Sequence, residues 1–239
     1  MNTTVTVDGR FCGPTRSGNG GYTCGLVAEQ IEGAATVRLH VPPPLDTPLS
    51  LTGADGRWTL ADGDRTVGTG QATTLELALP EPIDLATATQ AVEQFIGFEH
   101  HSFPRCFVCG PERAPGDGLR IFSGQTGQGD VVAAPWMVDA SLADAQGQVP
   151  ARFVWAALDC PSAYAVLPVP EGQAIVLGEL TAQVHALPRV GEACPTQAWP
   201  LEVDGRKRFA ASVVHGEDGR LIGAARATWI QVDAATFGV

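Results

Sequence analysis

The alternation of apolar and polar positions runs through one pattern twice. Residues 4–10 alternate weakly, as a half-buried strand does. Gly18-Asn19-Gly20-Gly21 is a turn able to open a helix, and 22–31 reads as a short apolar helix stopped by Gly33. The β-branched run 36–41 predicts a strand halted by Pro42-Pro43-Pro44. Further strands are expected over 48–52, 57–60 and 66–77, with Asp-Gly turns at 55–56 and 62–63. The second pass is longer. Residues 118–123 and 130–133 predict an opening strand or hairpin, 136–150 a loop with several acids, and 151–167 a helix with a kink at Pro161. Strands follow over 174–186, 194–203, 206–215 and 221–232, with Asp-Gly turns at 204–205 and 218–219.

Each pass reads strand, helix, then a run of antiparallel strands, which is an α+β layer architecture. The stretch from Asp62 to Thr73 and that from Glu217 to Thr228 match in style and position. The two helices lie about 130 residues apart, too far for a solenoid repeat, so a duplicated domain is expected. The division is a module over 1–95, a connector over 96–117 and a second module over 118–239.

One side chain breaks the pattern. The run from Phe153 to Ala165 is apolar almost throughout, yet it holds Asp159. On a helix, Trp155, Ala156, Ser162 and Ala163 fall on or beside the Asp159 face. A helix apolar on all sides is buried, and a buried carboxylate is costly unless paired, hydrogen-bonded or protonated. Two readings stay open: an acid bonded to backbone at a break before Pro161, or a carboxylate held in a cleft for chemistry.

Composition narrows the setting. The 239 residues are 44% apolar and 17% charged, enough for a substantial core. No apolar run approaches ~20 residues, and the first residues lack the charged and apolar regions of a secretion leader, so a cytoplasmic location is expected. A net charge of −11 argues against general binding to nucleic acid or anionic membrane. Six cysteines, Cys12, Cys24, Cys106, Cys109, Cys160 and Cys194, are expected as thiols, most of them small core fillers.

The connector holds His100-His101 and then Cys106-Phe-Val-Cys109-Gly110. A Cys-x-x-Cys pair beside histidine can bind zinc, but no second cysteine pair follows, and the packing reading is preferred. A redox role lacks the expected strand–helix context. His40, His185 and His215 fall at strand ends or beside a turn, with no Gly-x-Ser-x-Gly nucleophile motif and no phosphate-cradling glycine loop nearby.

Four stretches carry a resemblance. Asn19-Gly20-Gly21 stands where His-Gly-Gly often opens a helix, and Trp155-Ala-Ala-Leu-Asp159 places an acid about nine residues into the second helix. The run from Val176 to Val184 is similar to a central strand after that helix, and that from Asp218 to Trp229 to a closing strand. In their order and spacing these resemble the hotdog superfamily, in the double-hotdog arrangement of acyl-CoA thioesterases. The resemblance implies two hotdog modules in one chain, each a long helix wrapped by an antiparallel sheet. Pro150-Ala-Arg152 stands where a second His-Gly-Gly could have been, so one site at the seam is expected, with glycines from one module and an acid from the other.

The resemblance also implies hydrolysis of an acyl-CoA thioester, with coenzyme A as part of the substrate, no other cofactor and no metal. Asp159 would act as general base or nucleophile, and the backbone N–H groups of Gly20 and Gly21 at the Asn19-capped helix start would polarise the carbonyl. Equally, Asn19-Gly20-Gly21 reads as a plain loop with a helix cap. Thr181 and Ser162 are candidate water-positioning hydroxyls; Arg105, Arg113 and Arg120 are candidates for the coenzyme A phosphates, and Trp155 for substrate contact. A homodimer or higher homo-oligomer is expected, with no nucleic-acid or membrane partner. The alternatives are a non-catalytic acyl-CoA-binding protein and a structural homo-oligomer with a metal-bound connector.

Overall fold

Eleven strands and three α-helices make up residues 2–237, which a computed structural model describes. Met1, Gly238 and Val239, at the outer ends of the two expected modules, lie outside the described residues. In chain order the elements are β1 (Asn2–Thr6), α1 (Gly20–Ala28), β2 (Ala35–Leu39), β3 (Pro48–Ala54), β4 (Arg57–Asp62), β5 (Arg65–Ala72), α2 (Leu85–Ala91), β6 (Gly124–Gln125) and β7 (Val132–Met137). Then come α3 (Ala151–Tyr164), β8 (Gln173–Val184), β9 (Ala193–Asp204), β10 (Lys207–His215) and β11 (Leu221–Asp233).

The strands form one antiparallel sheet in the order β1-β3-β4-β5-β2-β8-β11-β10-β9-β7-β6. Outward from the β2–β8 contact, the first half reads second, fifth, fourth, third, first strand. The other half reads β8, β11, β10, β9, β7, the same sequence of roles, so the sheet is close to palindromic. The central pair is short: Ala35–Arg38 lie opposite Ala182–Glu179. There the hydroxyls of Thr36 and Thr181 meet at 2.8 Å, and Arg38 pairs with Glu179 at 2.8 Å. α1 packs against β2, β5 and β8, α3 against β7 to β11, and the two helices against each other.

Glycine sets that helix–helix contact. A Cβ on Gly21 would stand 2.4 Å from the Asp159 Cβ and 2.7 Å from the Trp155 carbonyl oxygen. A Cβ on Gly25 would stand 2.5 Å from the Arg152 Cα. One turn further along, Glu29 pairs with Arg152 at 2.8 Å. Positions 21, 25 and 29 share one face of α1. As they rise, their partners on α3 fall from 159 to 152, so the helices run antiparallel.

Several boundaries differ from the sequence expectation. α1 begins at Gly20, not residue 22, because the Asn19 side chain accepts a hydrogen bond from the Tyr22 N–H at 2.8 Å and caps the helix there. Residues 118–123 form no strand in the sheet; they pair with the connector, Leu119 N–H to Phe107 O and Ile121 N–H to Val108 O. Trp136, expected in a loop, is a fully buried residue of β7. α2 was not expected; Asp84 caps it through the Thr87 N–H. α3 runs through Pro161, as expected, but ends at Tyr164 and not at residue 167. Proline cannot donate there, and hydroxyls of Ser212 and Ser162 donate to the neighbouring carbonyls of Leu158 and Asp159, each at 2.6 Å. In the connector, Phe107 and Val108 are fully buried, and Phe107 packs among Phe11, Tyr22 and Phe153. Among the described residues, no helix is long and apolar enough to cross a membrane.

Candidate active site

The α1 N-terminus and the middle of α3 meet at Asp159. Its carboxylate is 1% exposed. Oδ2 accepts two hydrogen bonds from the far helix, one from the Gly21 N–H and one from Asn19 Nδ2, both at 2.9 Å. Asn19 thus works twice, capping α1 through Oδ1 and donating to Asp159 through Nδ2. The unpaired N–H groups and positive dipole end of a helix N-terminus favour a carboxylate at that place. Oδ1 of Asp159 is buried and has no hydrogen-bond partner among the described residues. Burial pushes the carboxyl up to about 7; the Gly21 N–H opposes that rise, nearby Cys106 adds to it and Asn19 opposes it.

A cavity of about 250 Å³ adjoins this carboxylate. Asn19, Gly20, Asp159, Cys106 and Cys160 contribute to its polar end, and residues such as Leu39, Phe103, Leu177 and Trp229 to its apolar wall. Both halves of the sheet therefore supply walls, as does the connector. Gly20 must be glycine here, since a Cβ would stand 2.8 Å from the Leu177 Cβ. The Gly20 N–H belongs to the first helical turn, where the helix itself offers no acceptor.

Three thiols cluster at the same end. The Sγ atoms of Cys106, Cys109 and Cys160, all buried, lie within 4.8 Å of one another, and Cys106 and Cys160 are 3.6 Å apart. Asn19 Nδ2 stands 3.8 Å from the Cys106 sulfur and 3.9 Å from that of Cys160. Hydrogen bonds from Cys109 and Cys160 hold the Cys106 thiol well below the usual thiol range. Burial drives Cys109 well above it, and the hydrogen bond to Cys106 does the same for Cys160. The proximity of Cys160 to the Cys-x-x-Cys pair was not foreseen from the sequence.

The structure brings together Asp159, Asn19, Gly20 and Gly21 among the expected site residues, and it places the others elsewhere. The Gly21 N–H is bonded to Asp159 instead of standing ready for a carbonyl oxygen. The Ser162 hydroxyl donates to the Asp159 backbone carbonyl and accepts from Trp229 Nε1 at 2.9 Å, so it is committed to structure. Thr181 lies at the β2–β8 contact. Trp155 is buried between the helices with its backbone carbonyl against Gly21. Arg113 is 5% exposed: its guanidinium donates to the carbonyls of Arg105 and Arg10, each at 2.7 Å, and pairs with Asp117 at 3.0 Å. Arg120 donates to the Arg113 carbonyl and lies over the Phe122 ring, and Arg105 is exposed. None of these three arginines lines the cavity.

No family model matches the chain, and no curated protein matches it. Solved structures do. A candidate thioesterase II from Thermobifida fusca YX is 17% identical with a TM-score of 0.59, over 97% of this chain and 92% of that one. A tesB protein of Mycobacterium avium subs paratuberculosis is 12% identical with a TM-score of 0.61, over 97% and 93%. A conserved protein of unknown function with a hot dog fold from Alicyclobacillus acidocaldarius is 12% identical with a TM-score of 0.60, over 97% and 93%. Matched over nearly its whole length by such structures, this chain has the hotdog fold.

Proposed function

We propose that the chain hydrolyses a thioester of the acyl-CoA kind, with a single site formed where two hotdog modules, about 1–95 and 118–239, meet. The observation that carries this reading is the asymmetry of Asp159. One oxygen is fixed by two donors from α1, and the other is unpartnered on a side chain that helps to line a cavity. A purely structural buried carboxylate would have both oxygens satisfied. The name of the Thermobifida fusca neighbour points to the same chemistry.

In this reading the acyl group enters the apolar cavity. At about 250 Å³ it is smaller than the ~300–1,000 Å³ of ordinary small-molecule pockets, so it suits the acyl portion, with coenzyme A left outside. Water attacks the carbonyl carbon while Asp159 Oδ1 takes its proton. The developing oxyanion is met by the Gly20 N–H at the positive end of α1, and a donor of this kind is worth about 3 kcal/mol in the transition state. The carbon–sulfur bond then breaks, the proton held on Asp159 passes to the departing thiolate, and the carboxylic acid and a free thiol leave. The Gly21 N–H and Asn19 keep the carboxylate oriented.

The test is a panel of acyl-CoA thioesters of increasing chain length, read by release of free thiol, on wild type and Asp159→Asn. Asparagine retains an acceptor for the Gly21 N–H and Asn19, so the variant is expected to fold. Turnover should fall at least about 100-fold, the lower range of general-base contributions. Undiminished turnover in the variant removes Asp159 from the chemistry, and no turnover by wild type across the panel removes the thioesterase reading.

A further inference from the structure

We propose that Cys106, Cys109 and Cys160 form a binding site for one zinc ion at the polar end of the cavity beside Asp159, argued from the sulfurs alone and not from the thioesterase reading. Three of the six cysteines converge from two separate segments, a tight turn in the connector and the middle of α3. Zinc–thiolate bonds of ~2.3 Å in a tetrahedron place sulfurs ~3.8 Å apart. Cys106 and Cys160 already stand at 3.6 Å, and the limit of 4.8 Å on the other pairs requires them to close by no more than about 1 Å.

The surroundings suit thiolates better than inert thiol fillers. The Asn19 amide stands within 3.9 Å of two of the three sulfurs. Such outer donors orient metal ligands and stabilise their charge. The turn that presents the first two sulfurs is closed by Gly110, whose N–H donates to the Cys106 carbonyl at 2.9 Å. A Cβ at position 110 would stand 2.5 Å from that same carbonyl oxygen, so the glycine after the second cysteine is sterically required. His101 is not the fourth ligand in this arrangement. Its Nε2 faces the Cys109 carbonyl at 3.0 Å, and its Nδ1 accepts from the Phe103 N–H. Cys106 and Cys160 line the cavity and Cys109 does not, which puts the fourth coordination position on the cavity side. Binding holds all three sulfurs as thiolates, and each one that is still protonated gives up its proton.

The experiment uses the full chain, purified without chelator or histidine tag and kept reduced. Elemental analysis should find about one zinc per chain. Chelator-stripped, reduced protein given cobalt(II) should develop a thiolate-to-cobalt charge-transfer band that one equivalent of zinc abolishes. Cys106→Ser, Cys109→Ser and Cys160→Ser should each weaken zinc binding at least tenfold, whereas Cys24→Ser and Cys194→Ser should leave it unchanged. If the three serine variants fail to fold, the wild type still decides: zinc should raise its urea midpoint and a chelator should lower it. Reduced wild type that neither carries nor takes up zinc or cobalt overturns the site. So does full uptake by a folded Cys109→Ser variant, or a urea midpoint indifferent to zinc.

Discussion

Replacing Gly21 by alanine tests how α1 and α3 hold the carboxylate. The new methyl would stand 2.4 Å from the Asp159 Cβ, 2.7 Å from the Trp155 carbonyl oxygen and 3.0 Å from the Ala156 Cα. Two of these are backbone atoms of a buried helix, so no side chain can swing aside to make room. The helices must part by about 1 Å, the kind of overpacking that costs about 1–3 kcal/mol. That separation lengthens the Gly21 N–H bond to Asp159, and a hydrogen bond to a charged group contributes about 1.5–3 kcal/mol. Alanine returns up to about 1 kcal/mol in helix propensity. The net loss is about 2–5 kcal/mol, or roughly 4–20 °C in Tm for a chain of this size.

The assay is urea unfolding followed by circular dichroism, with Gly25→Ala beside it. That second methyl meets Arg152 Cα and Cβ at 2.5 and 2.8 Å, in the first turn of α3 and well away from the carboxylate. Gly25→Ala should lose stability while retaining thioester turnover in the folded protein; Gly21→Ala should lose both. A Gly21→Ala variant with the wild-type midpoint would refute the close approach of the helices. Equal turnover losses in the two variants would refute the specific link between Gly21 and Asp159.

Two further outcomes follow from charged groups away from the cavity. Arg113→Met should destabilise the protein by about 2–4 kcal/mol, because the carbonyls of Arg10 and Arg105 lose a buried donor, while KM for a coenzyme A thioester stays put; a raised KM with unchanged stability would return Arg113 to substrate binding. Glu192, with a side chain 6% exposed, is held below the usual carboxylate range, first by its hydrogen bond from Arg220 and also by the N–H groups of Arg189 and Glu217. A depressed folded-state value means its contribution is present above the unfolded value of about 4.3 and is lost as pH falls through the folded one. Glu192→Gln should therefore be less stable than wild type by about 1–2 kcal/mol at pH 7, and the gap in urea midpoint should close in acid; a gap independent of pH would refute the ion-pair account.

The parts of the fold that local pattern dictates were legible in the sequence. Asn19-Gly20-Gly21 announces a helix start, the Asp-Gly turns at 55–56, 62–63, 204–205 and 218–219 mark tight strand connections, and a lone acid in the apolar run of α3 draws attention to Asp159. What stayed hidden depends on long-range packing. α2 carries the weakly patterned run Leu-Ala-Thr-Ala-Thr-Gln-Ala and is fixed mainly by the Asp84 cap and by its packing on β7 and β9. Arg113 reads as a candidate for the coenzyme A phosphates until the fold brings Arg10, some hundred positions earlier, against its guanidinium. Cys160 lies 51 positions after Cys109, and no spacing rule connects them; only the seating of the connector turn on α3 does.

The two helices also explain why such an acid can exist at all. An ionised carboxylate in an apolar helix is expensive, and α3 supplies nothing from its own neighbouring side chains to offset that cost: Ser162, one turn on, spends its hydroxyl on the backbone and on Trp229. The compensation comes from α1, through a backbone N–H reachable only because position 21 lacks a Cβ and through an amide held in place by its own capping bond to Tyr22. Both donors approach one oxygen, because both sit on the same end of the same helix. Geometry alone therefore leaves the second oxygen unpaired, and a helix N-terminus set against a facing acid gives a half-satisfied carboxylate. The walls that β8 and β11 give the cavity through Leu177 and Trp229 offer no hydroxyl. Apolar side chains stand there instead, and that choice makes sense when the partner of the second oxygen arrives from outside.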